Sequence, residues 1–343
     1  MNKRIRYFCC LTVLLLTAAM PAGQTLVIEG EAEHWEYTAD TIRKLAFAEL
    51  DSLSNAALSL HTTTGIRQVR LADIDSLAFR DSTQLVIYHG GEEDSYRHAD
   101  IEYADITPLC LPDRPEDAPG GTEFMEDILG MSFGEREPLI LAEILSGNMP
   151  DILRDPITVT TTFTDADGVS REVAYDVMSD YLSIGTNADY CRIPMGPETA
   201  QKIADAFGCI LTTRKLCDDI WQHATVRLAP IPYAPVGNNN EQVYKFVEHN
   251  EDINTAREEE NGSIHELIAG IKKDVVICNA LKNMPDRVAI YGWHYKSGSP
   301  IQPLYTGHYD SYVDYSHGIR LVNAVIRVDG VPMHAEAILK DPV

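Results

Sequence analysis

The sequence predicts an α+β fold built as an N-terminal β-repeat module followed by a mixed domain with a helical middle and a C-terminal antiparallel sheet. Three observations support this prediction. Short apolar segments with a common ending recur in residues 24–108, helical periodicity dominates the middle of the chain, and strand-like runs follow it. The 343 residues also exceed the roughly 250 to 300 at which one hydrophobic core stops growing, so we expect two units.

The first part contains an internal repeat that predicts a repeated β-hairpin. Three segments start with an apolar run, at Leu26, Leu58 and Leu85, and each closes with Ala-Asp-Ile or Ala-Asp-x-Ile. An Asp at this place ends a strand because it accepts backbone hydrogen bonds in the following turn. The segment VRLADIDSLAF resembles a short β-module found at the start of many secreted proteins of Gram-negative gut anaerobes. The resemblance covers about residues 25–107 and implies a surface or packing module.

The first 23 residues predict a secretory signal peptide. Lys3, Arg4 and Arg6 precede a short apolar run, and small residues follow as far as Gly23. The run is shorter than the roughly 20 residues that cross a bilayer. The cleavage point also lacks the Cys that a lipoprotein needs. We therefore expect a secreted or periplasmic protein without a lipid or membrane anchor, whose odd number of remaining cysteines leaves at least one thiol free or paired with another chain.

The charge balance excludes two classes of partner. The chain has 28 Lys and Arg against 52 Asp and Glu, a formal net charge of -24. An acidic surface of this strength repels phosphate backbones and anionic lipids. We expect neither nucleic acid nor a membrane surface as a partner.

Residues 109–123 are rich in Pro, Gly and Asp and predict a linker, after which the α+β domain spans residues 124–343. Apolar periodicity predicts a hairpin that turns at Gly168. It also predicts helices over Pro138–Gly147, Pro197–Gly208, Thr213–Ala224, Glu241–His249 and from Ser263 onward. The late runs DVVICNAL, RVAIYGWH, IRLVNAVIRV and VPMHAEAIL predict strands, with a turn at Asp329-Gly330.

The block from Tyr291 to Leu321 is the best candidate for chemistry because it holds three His, two Asp and six Tyr. Aromatic side chains beside titratable groups line sites for sugars or peptides. A solvated polar face of an antiparallel sheet is the alternative interpretation. If Gly307–His317 is extended, His308, Asp310, Tyr312 and Asp314 share one face. His308 and Asp310 would then supply two ligands for zinc, with His294 as a candidate third.

The piece Ser316-His317-Gly318-Ile319-Arg320-Leu321 resembles the SHGCIRL signature of L,D-transpeptidases, which crosslink peptidoglycan through a catalytic Cys. This chain has no Cys at the matching position, so transpeptidase chemistry is not implied. The second domain also resembles an uncharacterised group of secreted bacterial and fungal proteins that share the YGWH, PIQPL and YxDYSHGIRLV blocks. That resemblance implies a common fold and no established activity.

Cys209 is a candidate nucleophile because it lies close to the start of a predicted helix, near Arg214 and Lys215, where a thiolate is stabilised. A buried structural thiol is the alternative.

These patterns together predict a hydrolase, Cys- or metal-dependent, that acts on cell-envelope or glycan-peptide material. The candidate catalytic residues are His317, Cys209, His308 and Asp314, and the candidate substrate-binding residues are Trp293, His294, Tyr305, Tyr312 and Arg320. The alternative is a non-catalytic carbohydrate or envelope binding protein, in which Trp293 and the tyrosines stack on sugars.

Overall fold

The structure is a computed structural model that describes residues 111–165 and 168–340, together with strands between residues 14 and 107 and parts of the turns that join them. The chain divides into two compact units, Met1–Cys110 and Leu111–Val343. Helices and mostly antiparallel sheets coexist, so the predicted α+β class is confirmed. The predicted signal peptide lies outside the described residues, apart from the backbone of one short strand within it.

The described part of the first unit consists of antiparallel strands. They form the sheets β1-β2-β3, β4-β7-β8-β9 and β10-β5-β6. Their bounds are β1 Leu14–Leu16, β2 Thr25–Glu29, β3 His34–Thr38, β4 Lys44–Leu45, β5 Ala57–Thr62, β6 Gly65–Arg70, β7 Ile74–Arg80, β8 Gln84–His89, β9 Glu92–Arg97 and β10 Ile101–Thr107.

The second unit carries the helices of the described chain. Their bounds are α1 Gly121–Asp127, α2 Phe133–Leu145, α3 Pro197–Ala206, α4 Arg214–His223, α5 Val243–Glu259 and α6 Ala335–Lys340. Short 3₁₀ turns cover Asp151–Leu153, Asn239–Glu241 and Asn279–Asn283.

The strands of the second unit form two larger sheets and two short ribbons. Their bounds are β11 Ile157–Thr164, β12 Ser170–Val177, β13 Ser183–Gly185, β14 Tyr190–Arg192, β15 Cys209–Leu211, β16 Val226–Arg227, β17 Ile268–Ala269, β18 Lys273–Val275, β19 Ile290–His294, β20 Pro300–Tyr305, β21 His317–Gly318, β22 Leu321–Asn323, β23 Val325–Val328 and β24 Val331–His334. One sheet has the order β15-β22-β12-β23-β24, with β11 also paired to β12, and the other has the order β20-β19-β18-β21. The ribbons are β13-β14 and β16-β17.

Local sequence chemistry explains where the predicted helices and turns begin and end. Pro197 occupies the first turn of α3, where its missing N–H costs nothing, and Gly208 follows the helix at φ 57°. The Thr213 hydroxyl caps α4 by accepting the backbone N–H of Leu216 at 3.3 Å. The predicted Asp329-Gly330 turn is also present, with φ values of 50° and 79° that suit a tight hairpin between β23 and β24.

Two predicted helix boundaries are wrong, and one helix was not predicted. Helix α2 starts at Phe133, ahead of Pro138, because Ser132 and Glu135 form a reciprocal capping box. Helix α5 continues to Glu259. Helix α1 begins at Gly121, inside the predicted linker.

The helix predicted from Ser263 is wrong as well, because the structure has turns there and then strand β17. Leu267 and Ala269 pack in one hydrophobic cluster, whereas Ile268 packs in another. Successive residues therefore point to opposite sides, which is the alternation of a strand buried on both faces. Two of the predicted late strands are also shorter than expected, since Asn279–Asn283 is a 3₁₀ turn and Ala335–Lys340 is α6.

Candidate functional site

The candidate site is built on strand β18, near the middle of the four-stranded sheet. Strand β21 pairs with β18 in parallel, which places His317 opposite Lys273. Strand β19 pairs with the other edge of β18 and places Gly292 opposite Lys273. The sheet thus gathers side chains that are far apart in sequence.

Asp314 is the carboxylate of the site. It accepts hydrogen bonds from the backbone N–H of Ser316 at 2.8 Å and from the Ser316 hydroxyl, and Tyr312 Oη donates to it at 3.2 Å. Lys273 Nζ lies 3.8 Å from Asp314 Oδ2. Burial by itself would raise the pKa of Asp314, but His317, the Lys273 ammonium and the Ser316 hydrogen bonds together lower it to about 2. Asp314 is therefore ionised at neutral pH.

His317 is a buried, neutral imidazole beside that carboxylate. Its Nε2 lies 3.9 Å from Asp314 Oδ1, and neither ring nitrogen has a hydrogen-bond partner among the described residues. Burial lowers the pKa of His317 to about 4, with Lys273 and His308 adding to the decrease and Asp314 opposing it. An unprotonated imidazole next to an ionised carboxylate can accept a proton and hold the resulting cation.

A chain of aromatic contacts leads from the surface to His317. The exposed ring of Tyr305 meets His308 edge-on at 5.0 Å, and His308 stacks on Tyr312 at 4.1 Å. Tyr312 in turn meets His317 edge-on at 5.9 Å. The structure therefore brings His308, Tyr312, Asp314 and His317 together.

The path of the chain through this cluster differs from the prediction. The expected extended strand over Gly307–His317 is wrong, because turns interrupt the segment, Tyr309 forms only an isolated bridge, and only His317 enters a strand, β21. Tyr312 N donates to Tyr309 O at 3.0 Å, and the Asp314 carboxylate closes a turn on Ser316 N. The four groups meet through these turns and not through alternation along one strand.

The indole ring of Trp293 packs beside Lys273. The Lys273 ammonium lies 5.3 Å from the centre of the indole ring, a cation–π distance. Trp293 is buried, has φ 55°, and its Nε1 has no hydrogen-bond partner among the described residues. A positive φ at a bulky residue is strained, and such strain concentrates at functional sites.

His294 belongs to a different group of side chains. Its Nε2 lies 2.9 Å from Asp218 Oδ1, which also accepts a hydrogen bond from Tyr291 Oη at 2.7 Å, and its ring stacks on Trp221 at 5.8 Å. None of these is a partner of His317. The structure therefore does not bring His294 into the cluster where the sequence analysis placed it.

Arg320 is buried, and its guanidinium forms hydrogen bonds with backbone carbonyl groups. Its guanidinium donates to the carbonyl oxygens of Met178, Ser179 and Ile268, and it stacks on the ring of Tyr181 at 4.2 Å. These contacts tie neighbouring segments together and leave only Nε without a partner in the described part of the chain.

Cys209 lies in β15, paired with Asn323, away from any charged partner that would activate it. Burial raises the pKa of this thiol to about 12, so it is protonated at neutral pH. Cys191, Cys209, Cys217 and Cys278 are free thiols, and Cys110 lies outside the described residues.

Among the described residues, the structure adds no further ligand to His308 and Asp310, the two predicted for zinc. Within residues 111–165 and 168–340 and the described strands, no group of three or more His, Cys, Asp and Glu side chains is placed to hold a metal ion. Zinc at His308 and Asp310 stays a prediction.

The helix predicted from Ser263 onward would place Lys272 and Lys273 at its end, whereas the structure places both beside the candidate site. Lys272 is buried, and its Nζ donates to Tyr315 O at 2.5 Å and to His249 Nδ1 at 3.1 Å. Burial lowers the pKa of Lys272 to about 7. The run Lys-Lys-Asp beside apolar strand residues was the available signal for a site, because charged residues are rarely buried in a sheet unless they are paired.

Comparisons of the chain with protein-family models, with curated proteins and with solved structures give no significant match. Of the helices that the structure describes, none combines the length and the apolar character needed to cross a membrane.

Proposed function

We propose that the second unit is a hydrolase of cell-envelope or glycan-peptide material, with its reactive centre at His317, Asp314 and Lys273. The observation that carries the proposal is the neutral imidazole of His317, 3.9 Å from an ionised carboxylate and opposite a lysine on the paired strand. A neutral imidazole and an ionised carboxylate held this close together are typical of acid–base sites.

The reaction that fits these groups is transfer of an acyl group to water, as in cleavage of an amide bond. His317 takes a proton from water while the water oxygen bonds to the carbonyl carbon. The Lys273 ammonium stabilises the negative charge that develops on the carbonyl oxygen, and Asp314 stabilises the imidazolium. The C–N bond then breaks, and His317 returns its proton to the leaving amine. The products are an acid and an amine, and no further reactant is needed.

Turnover of purified peptidoglycan fragments, followed as released amines, tests this proposal. His317→Ala should abolish turnover, and Lys273→Met should lower kcat by about 10²- to 10³-fold, the usual effect of removing an oxyanion donor. His265→Ala, at an exposed histidine, is the matched control and should behave as wild type. Full activity of His317→Ala would exclude a reactive centre at His317, Asp314 and Lys273.

Two further conditions separate the reactive centres that the sequence left open. Cys209→Ser should retain activity because a buried thiol of raised pKa is a poor nucleophile. Loss of activity in EDTA would favour a metal held by His308 and Asp310, and loss in Cys209→Ser would favour the thiol.

A non-catalytic carbohydrate or envelope binding protein is the second candidate function. The observation that favours it is the pair of exposed aromatic rings of Tyr305, which contacts His308, and Tyr309. In this case the chain binds glycan and His317→Ala changes nothing but stability.

We also propose that the protein is secreted or periplasmic and that residues 24–108 form a β-repeat module. The signal-peptide pattern supports the first statement, and the recurrent Ala-Asp-Ile endings support the second. The antiparallel strands β5 to β10 are consistent with repeated hairpins.

A further inference from the structure

Two short segments at the edge of the candidate site form a ribbon that presents Tyr309. Arg287 and Tyr309 face each other in an antiparallel bridge. Asp310 N donates to Asp286 O at 3.1 Å, and Val288 N donates to His308 O at 3.2 Å. The backbone that carries Tyr309 is thus fixed on both sides by hydrogen bonds.

The side chain of Tyr309 is held in one orientation and is still open to solvent. The Arg287 guanidinium lies 3.9 Å from the ring centre and donates to Gly307 O at 2.8 Å. The tyrosine is 56% exposed. An aromatic ring fixed before binding loses little conformational entropy when a ligand stacks on it.

The exposed Tyr309 ring, the platform of this site, lies near the aromatic contacts that lead to the reactive centre, because Arg287, which contacts it, donates to Gly307 O, and the Tyr305 ring lies against Gly307. Residue His308, next to Tyr309, stacks on Tyr312, which contacts both Asp314 and His317. The exposed ring of Tyr305 contacts the same His308. A substrate whose scissile bond lies at His317 would therefore extend over Tyr305 and Tyr309.

The charges around the platform indicate which part of a substrate fits there. Asp310 directly follows Tyr309, and the Asp286 side chain is 64% exposed and 3.9 Å from Arg287 Nε. Carboxylates accept hydrogen bonds from sugar hydroxyls and repel anionic groups. An aromatic face beside the exposed Asp286 carboxylate thus favours a neutral sugar ring over an acidic peptide.

We infer that Tyr309, fixed on Arg287 and continued by Tyr305, is a subsite that stacks on an uncharged pyranose ring of a glycan. The inference rests on the proposed function for the position of the scissile bond, and it adds that the glycan part of the substrate is what the chain recognises here.

Calorimetric titration of the full chain with an uncharged β-1,4-linked N-acetylglucosamine hexamer tests the subsite. A His317→Ala background keeps binding separate from turnover. Tyr309→Leu should weaken binding by at least about tenfold, the loss expected for a central aromatic contact. Tyr309→Phe keeps the ring and should bind within about twofold of the parent. Tyr244→Leu, at a tyrosine of similar exposure on α5, is the control and should leave binding unchanged.

Three results would overturn the inference: no binding of the hexamer, equal binding by Tyr309→Leu and its parent, or Tyr309-dependent binding of an uncharged tetrapeptide. Tyr305→Leu repeats the test if Tyr309→Leu lowers Tm. Failure of the hydrolase proposal gives a different pattern, because a chain without turnover would still bind the hexamer through Tyr309.

Discussion

Replacement of His317 by Gln tests whether the imidazole at the centre of the site is neutral in the folded protein. Burial lowers the pKa of His317 from 6.5 to about 4, with Lys273, His308 and Lys272 adding to the decrease and Asp314 opposing it. His317 therefore becomes protonated near pH 6.5 in the unfolded chain but only near pH 4 in the folded chain. Stability from this group is complete above pH 6.5 and is lost as the pH falls through that window.

The size of the effect follows from the shift. Between pH 7.5 and 5.5 the wild-type free energy of unfolding should fall by about 1.4 kcal/mol through His317 alone, and by about 3 kcal/mol at pH 4. His317→Gln removes the titration and keeps a polar side chain of similar size. When the pH falls from 7.5 to 5.5, the free energy of unfolding of the variant should therefore rise by about 1.4 kcal/mol relative to that of the wild type.

Urea unfolding followed by tryptophan fluorescence at pH 7.5 and 5.5 measures this difference, and two of the three tryptophans, Trp221 and Trp293, lie in the second unit. His265→Gln, at an exposed histidine, is the control and should track the wild type. Parallel pH dependence of wild type and His317→Gln would refute the reasoning, since the folded imidazole would then titrate like an unfolded one.

Two more predictions concern stability. Burial raises the pKa of Asp274 from 3.8 to about 6, so folding loses free energy as the pH rises through that window. Asp274→Asn, which still accepts the 3.0 Å hydrogen bond from Tyr181 Oη, should raise the free energy of unfolding at pH 7.5 by up to about 3 kcal/mol, and an unchanged urea midpoint would contradict this. A chain of residues 111–343 should unfold in one cooperative transition with a higher Tm than residues 121–343, because Arg114 joins the segment before α1 to Asn148. Equal Tm values in calorimetry would contradict that role.

Features set by local chemistry could be predicted from the sequence. A Pro at the start of α3, a Thr cap at α4 and an Asp-Gly turn act on their own backbone, so the surrounding structure has little influence on them. The hairpin of β11 and β12 was predictable for the same reason, with Gly168 at φ 78° in its turn.

Features set by packing could not be predicted in this way. The apolar residues of 264–271 have helical spacing, yet they serve two hydrophobic clusters at once and form a strand. Helix α5 continues beyond His249, and its additional turns bury Ile253 and also Arg257, a charged residue that an apolar pattern does not include.

The site was predicted in part. Three titratable residues of the candidate site share one stretch of sequence, and the density of His, Asp and Tyr from Tyr291 to Leu321 indicated His308, Asp314 and His317. Lys273 was placed at a helix end instead, because it reaches His317 only through the parallel pairing of β18 and β21, and pairing between distant segments leaves no local pattern.

The irregular backbone at Gly292 and Trp293 separates the surroundings of the His317–Asp314 pair from those of the His294–Asp218 pair. Consecutive φ values of 101° and 55° break the alternation of β19, and Trp293 meets Lys273 while His294 meets Asp218. Strain at a residue such as Trp293 costs about 1–3 kcal/mol, so the surrounding contacts must enforce it. The break leaves the Lys273 ammonium with Asp314 and His317. Among the described contacts of His294 there is a carboxylate but no lysine, so this histidine has no counterpart of Lys273.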